Sequence, residues 1–276
     1  MSVATRPAPS GEPLARRGRS GGAARARYSS VGLPALGIVA ALVVWWGAVA
    51  LFQIRPIFLP SPLAVAQVFG EQGDYLAHTA WDTLYRLLIG FAIAAAFGLS
   101  VALLLSWSRP LERAVMPLFL ALNAVPKVSL APLLMVWLGF GPRFNIVMVV
   151  SISTLPVLVS TMAGLAATPS DLGELARSLT ASWWQAYLKV RLPWALPHMF
   201  VGLKLAITLA VIGEAVAELQ NPNSGLGSVV TLAGASFDTA LAFAAIVVLS
   251  LLGVLLFYAV TLVERLLLPW ARQIAG

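Results

Sequence analysis

The sequence predicts an all-α membrane protein of six transmembrane helices with one charged helical hairpin held outside the bilayer, and three observations carry that prediction. Of 276 residues, 59% are hydrophobic and only 11% charged, at a mean hydropathy of +0.88, so the chain cannot close into a water-soluble globule. Apolar stretches recur at 31–52, 83–106, 114–139, 144–166, 198–219 and 240–266, each near the roughly 20 residues that cross a hydrocarbon core. Basic residues alternate between linkers. Arg109, Arg113, Arg177, Lys189, Arg191, Arg265 and Arg272 fall in 107–113, 167–197 and the C-terminal tail, whereas the other linkers hold only Arg55 and Arg143. An even number of spans returns the C-terminus to the side of the N-terminus, and the basic excess makes that side the cytoplasm.

Composition also excludes whole classes of function. The formal charge of +7 would suit nucleic acid, but the basic residues sit in one tail and in alternate loops, where they act as topology signals, and no nucleic-acid partner is expected. Cysteine is absent, which removes disulfides, thiolate catalysis and Cys-ligated metals. No GxxxxGK[ST] phosphate loop occurs, so the chain is not expected to hydrolyse ATP itself. His78 and His198 lie far apart near predicted membrane borders, and neither HExxH nor GxSxG is present, so no catalytic residue and no metal site are expected.

Taken in order, residues 1–30 carry Arg6, Arg16, Arg17, Arg19, Arg25 and Arg27 among Ala, Gly, Ser and Pro, and predict a disordered basic tail in the cytoplasm. Residues 31–80 predict a first span and its outer connector. The run Val31–Phe52 is too long for a cleaved signal, and Trp45 and Trp46 anchor it. After it, Ser61 can cap and Pro62 can open a short surface helix, because proline's missing N–H is not needed in a first turn.

Residues 81–276 predict the core. In the third and fourth spans, Asn123-Ala124-Val125-Pro126-Lys127 precedes Ala131-Pro132-Leu133 and Trp137-Leu138-Gly139-Phe140-Gly141. Pro126 and Pro132 are expected to break the hydrogen-bond ladder where protein or a water-filled cavity satisfies the freed carbonyls. Lys127 falls near mid-span; with Asn123 it either lines a permeation path that favours anions, or is a snorkelling or ion-paired structural lysine. Glu214 and Glu218 share one face of the fifth span. They line the path or pair with Lys127 or Lys204, and Glu218 can instead reach the outer headgroups. Lys204 is near enough to the inner end to snorkel. Asn221 to Gly227 reads as an outer turn.

The stretch 171–193, DLGELARSLTASWWQAYLKVRLP, carries too many charges to cross hydrocarbon and must lie outside it. Leu172, Leu175, Ala176 and Leu179 make one apolar stripe at helical spacing, and Asp171 with Glu174 reads as a capping box. A second box, Ser182 with Gln185, opens a helix of Trp183, Trp184, Tyr187, Leu188 and Leu192 that Pro193 is expected to end. The greasy edge of such a hairpin requires cover, from its own bundle or from a soluble partner.

Glu174-Leu175-Ala176, three residues, Thr180, nine residues, then Val190-Arg191-Leu192-Pro193 resembles the EAA loop of binding-protein-dependent ABC importer permeases. Leu175 replaces Ala and Val190 replaces Ile. Thr180 stands where the family pattern has Gly, a position suited to a left-handed turn that a β-branched residue adopts only at a cost. The segment 123–141, Leu59-Pro60-Ser61-Pro62 and Ser224-Gly225-Leu226-Gly227 are similar to the nitrate, sulfonate and taurine branch, so the likeness spans 59–268.

The resemblance implies a type I ABC importer permease fold in the inner membrane of a prokaryote, with a cytoplasmic coupling-helix hairpin. It implies a second permease copy, two ATP-binding subunits that hold ATP and Mg, and an extracytoplasmic substrate-binding protein; this chain would bind no cofactor. Glu174, Leu175, Ala176, Leu179, Thr180, Trp183, Leu192 and Pro193 would dock on the ATPase, and the cargo would be a small anionic solute. The rival expectations are an ion-coupled secondary transporter with Glu214 as its proton site, for which the hairpin would have no purpose, and a passive assembly factor, which the proline-broken third span opposes.

Overall fold

In the computed structural model the described residues are 22–169, 171, 172, 174, 178–221 and 225–270, with side chains from Gly32 onward, and their regular structure is all helical. The chain divides between Gln53 and Ile54 into two units. The first holds α1 (Gly22–Leu51), whose apolar part, Gly32–Leu51, is 20 residues long at a mean hydropathy of 2.1, enough for one crossing. The helix reaches back to Gly22, into the segment that composition assigns to a tail; residues 1–21 lie outside the described residues.

The second unit runs α2 (Pro62–Glu71), α3 (Gly73–Leu105), α4 (Arg109–Ala124), α5 (Lys127–Leu138), α6 (Pro142–Ala166), α7 (Trp183–Ala186), α8 (Leu192–Gln220), α9 (Leu226–Ala235) and α10 (Thr239–Leu267). Within this unit α2 packs on α10 and α3, and its Val65 and Val68 are buried. Ser61 Oγ accepts the Ala64 N–H at 3.1 Å ahead of Pro62, the cap that the sequence predicts. Among the described residues, five helical stretches are long and apolar enough to cross a membrane, and α4 with α5 makes a sixth when the pair is taken as one broken span.

That pair bends by 90° at Val125–Pro126, where Val125 is extended (ψ 125°) because a residue before proline avoids the helical region. Pro132, expected to break the ladder too, lies inside α5 without ending it. Its missing N–H frees one carbonyl, a loss that membrane helices tolerate. At Pro193 the sequence predicts a helix end that does not occur. α7 runs through a π-helical turn, Tyr187–Arg191, into α8, so that Trp183–Gln220 is one helix of 38 residues. The Leu192 N–H reaches back to the Tyr187 carbonyl, and this wider turn makes room for the proline ring, which would press on the carbonyl four residues back in a regular helix.

α6 is the central helix, packed against α8 and α3. Buried positions recur every four residues: Gly90, Ala94, Gly98 and Ala102 on α3; Val149, Ser153, Val157 and Thr161 on α6; Gly202, Ala206, Ala210, Glu214 and Glu218 on α8. Rows at this spacing pack ridge into groove, and in lipid, where apolar burial drives little, small residues supply the close approach. A Cβ on Gly90 would fall 2.7 Å from Cβ of Val149. Gly90→Val is therefore expected to push α3 off α6 and destabilise by about 1–3 kcal/mol, read as a lower unfolding temperature of the detergent-solubilised protein.

The ends of the unit are distinguishable. Trp107, between α3 and α4, touches Trp183 and Trp184, so the linkers 107–108 and 179–191 share one end. At the other end the turn expected over 221–227 is shorter than the sequence suggests. It stops at Gly225, and α9 begins at Leu226, a helix with no predicted counterpart. Lys204 is paired rather than free to snorkel: its Nζ lies 2.9 Å from Glu264 Oε2 on α10.

Candidate functional site

Three groups of residues stand out, beginning with the hairpin. Ser182 and Gln185 form the predicted capping box, with Gln185 N–H donating to Ser182 Oγ at 3.3 Å and Ser182 N–H to Gln185 Oε1 at 2.9 Å. Thr180 adopts φ +53°, the left-handed turn that its β-branched side chain disfavours, and its hydroxyl donates to the Leu179 carbonyl at 2.8 Å. Left-handed backbone costs such a residue about 1–2 kcal/mol, and glycine's own entropic loss is about 0.5–1 kcal/mol. Thr180→Gly is accordingly expected to raise stability by up to about 1 kcal/mol, checked by the unfolding temperature of the purified protein.

Before this turn, Asp171, Leu172, Glu174 and Ser178 are helical, and Glu174 is exposed. Leu175 and Ala176, which belong to the expected docking stripe, lie outside the described residues. Leu179 is 70% exposed. The aromatic side chains pack on one another yet remain exposed: Trp107, Trp183 and Trp184 meet edge to face at 5.1–5.7 Å, and Trp183 stacks on Tyr187 at 5.1 Å. Tyr187 is buried and its hydroxyl lies 2.6 Å from Ser106 Oγ. Leu192, expected at the docking face, packs inward against Leu165, Tyr187, Ala195 and Met199, and Pro193 is half-buried just past the π-turn. Among the described hairpin residues, Glu174, Leu179, Trp183, Trp184 and Leu188 are exposed, and Leu179 at the turn is the most open of the large apolar side chains.

The second group is a cavity of about 320 Å³ among α3, α4, α5 and α6, lined by Phe97, Phe119, Asn123, Lys127, Ser151 and Thr154, with further apolar side chains. It brings Asn123 and Lys127 together. Lys127 opens α5 at the bend, and its Nζ donates to the carbonyls of Leu122 (2.7 Å) and Val125 (3.3 Å), which the kink leaves without helical donors. Lys127 is the one charged residue among the described lining residues.

The third group corrects the expected partners of Glu214 and Glu218. Neither lines the cavity or meets Lys127 or Lys204; both are fully buried against Arg86 of α3. Arg86 Nε lies 3.0 Å from Glu214 Oε1 and Nη2 lies 2.8 Å from Glu218 Oε1. Asn145 Nδ2 donates to Glu214 Oε1 at 2.9 Å, and Thr83 Oγ1 to Glu218 Oε1 at 2.7 Å. Glu218 Oε2 accepts the Gly227 N–H at 2.9 Å and Thr83 Oγ1 accepts the Leu226 N–H at 3.0 Å, so a carboxylate and a hydroxyl cap the N-terminus of α9. Gly225 is required there: its φ is +102°, and a Cβ would sit 1.8 Å from Glu218 Oε1. Gly225→Ala is expected to cost at least about 2 kcal/mol and to free α9, measurable as faster amide exchange in that helix.

Arg86, Thr83, Asn145 and Trp107 are the residues that sequence reasoning passed over. One signal was present. Arg86 is a cation within the second apolar run, and such a residue demands a buried acidic partner, which Glu214 and Glu218 could have supplied.

The comparisons agree with this architecture. Residues 94–269 match the model for the binding-protein-dependent transport system inner membrane component family. The formylaminopyrimidine transport permease protein ThiX of Halalkalibacterium halodurans is 34% identical over 84% of this chain and 93% of that protein. The putative aliphatic sulfonates transport permease protein SsuC of Bacillus subtilis is 31% identical over 85% of this chain and 86% of that protein. Among solved structures, an inward-facing MetNI methionine ABC transporter superposes with a TM-score of 0.54 at 24% identity, covering 67% of this chain and 95% of the matched chain, a likeness of fold.

Proposed function

The chain belongs to the binding-protein-dependent transport system inner membrane component family, membrane permease subunits of ABC transporters rather than enzymes, and from that premise we propose a division of labour among its parts. It forms, with a second copy, the path of an importer powered by two separate ATPase subunits and fed by an extracytoplasmic binding protein. The hairpin 171–193 is the docking element for the ATPase. The observation that carries this reading is the unbroken helix Trp183–Gln220, which runs from the turn that bears exposed Leu179 to the buried Glu214 and Glu218, so movement at the hairpin is carried to them along one element. The basic linkers support a cytoplasmic position for that end, with both termini, in the inner membrane of a prokaryote.

Affinity purification of the tagged chain from its native membranes tests the assignment. An ATPase with a phosphate-binding loop and a secreted binding protein should co-purify, and the ligand of the latter names the cargo. Recovery of the chain alone under mild solubilisation, with uptake driven by an ion gradient, would refute it.

The cargo is a small anionic solute, a reading that rests on Lys127 as the charge at the cavity and on the sulfonate permease among the relatives. Lys127→Met is expected to weaken uptake by about tenfold or more, the scale of one charge-assisted hydrogen bond. Unchanged uptake would make the lysine a structural staple for the kinked carbonyls.

A further inference from the structure

The cluster at Glu214 holds more acceptors than donors. Glu218 is fully served: Thr83 and Arg86 donate to Oε1, and the Gly227 N–H donates to Oε2. Glu214 is served on one oxygen only. Its Oε1 takes Arg86 Nε and Asn145 Nδ2, whereas Oε2 has no hydrogen-bond partner, and neither has Asn145 Oδ1. Both side chains are fully buried.

Charge is out of balance in the same place, with one guanidinium against two carboxylates. Among the described residues, nothing on the packed elements corrects it. On α3, His78 is exposed and half-buried Asp82 adds only negative charge; on α6, Arg143 is exposed; α9 has no ionisable residue. Lys127 of α5 is bonded to its own kink, and Lys204 of α8 is paired with Glu264 of α10. An uncompensated negative charge between membrane helices is expensive, and so is each orphaned oxygen.

From these two independent deficits we propose that Glu214 Oε2 and Asn145 Oδ1 form a binding site for one unit of positive charge, at the junction of α6 and α8. The occupant is an alkali cation lying between the two oxygens, or a proton carried on the carboxylate and donated to the amide oxygen. Either species supplies what the cluster lacks: a single charge, small enough for a packed interface, with affinity for hard oxygen. A divalent ion does not fit, because it would overshoot the missing single charge. The site stands apart from the transport reading, since it concerns the charge balance of the folded chain.

The experiment uses the full chain, with any subunits that co-purify. Its unfolding temperature is recorded in sodium, potassium and lithium chloride against choline chloride at equal ionic strength, and infrared spectra at neutral pH are searched for a deuterium-sensitive carboxylic-acid band. A rise of at least about 3 °C in one alkali salt identifies a metal ion, because an occupant that binds only the folded state stabilises it. A carboxylic-acid band with no alkali response identifies the proton.

Glu214→Gln should abolish whichever signature appears while being at least as stable as the parent in choline chloride, because its amide can donate to Asn145 Oδ1 without charge. Asn145→Leu, a second variant, should weaken the alkali response or shift the band. No alkali response together with no carboxylic-acid band overturns the proposal, as does either signature surviving unchanged in both variants.

Discussion

Replacing Arg86 with Met is expected to lower the stability of the permease by about 3–5 kcal/mol, the cost of leaving a buried charge without its partner. The structure explains why the effect is large. Two fully buried carboxylates face this one guanidinium, and removing it strands both between α3 and α8. The loss then spreads. Arg86 orients Glu218, Glu218 caps α9, and Gly225 fits its oxygen with no room to spare, so the outer end should loosen as a unit. Thermal unfolding in detergent, together with the amount of protein in the membrane, measures this directly. Glu264→Gln provides the contrast. It breaks the Lys204 pair, whose side chains are about one-fifth exposed, and a partly solvated pair contributes about 1 kcal/mol or less. If Arg86→Met proves no worse than Glu264→Gln, the cluster does not hold the outer end together.

The contrast between these ion pairs also shows which parts of the fold were legible from residues alone. Spans were readable because hydropathy acts over about 20 residues and survives any detail of packing. Local chemistry was readable where a cap is decided within four residues: Ser61 and Ser182 both cap as their neighbours dictate. The failures arose wherever a distant element decides. Pro193 would end an isolated helix, but the π-turn and the packing of Leu192 into the bundle carry the chain through it. α9 has a glycine-rich start with no capping residue of its own, because its caps, Glu218 and Thr83, come from two other helices. Glu214 and Glu218 looked available to any lysine in the membrane. Only the register of α3 against α8 selects Arg86, and no periodicity within one segment encodes that register.

Leu179→Asp is expected to cut uptake by on the order of a hundredfold, the scale of losing a buried apolar anchor at an interface, while altering folding stability by no more than about 0.5 kcal/mol. The two halves follow from the same observation. At 70% exposure Leu179 contributes little to its own bundle, so an aspartate there meets water and the protein should insert normally. On an ATPase surface the same aspartate would be a desolvated charge. Uptake should therefore fail while ATP hydrolysis by the assembled complex no longer responds to the loaded binding protein. Leu179→Met, which keeps the apolar volume, should preserve coupling. Trp183→Ala gives a mixed result for a structural reason: the ring stacks on Tyr187 and meets Trp107, so its loss should destabilise the hairpin as well as the docking edge. Normal transport by Leu179→Asp at normal membrane levels would move the docking face off this edge of the hairpin, and with it the idea that force enters the helix Trp183–Gln220 at its exposed end.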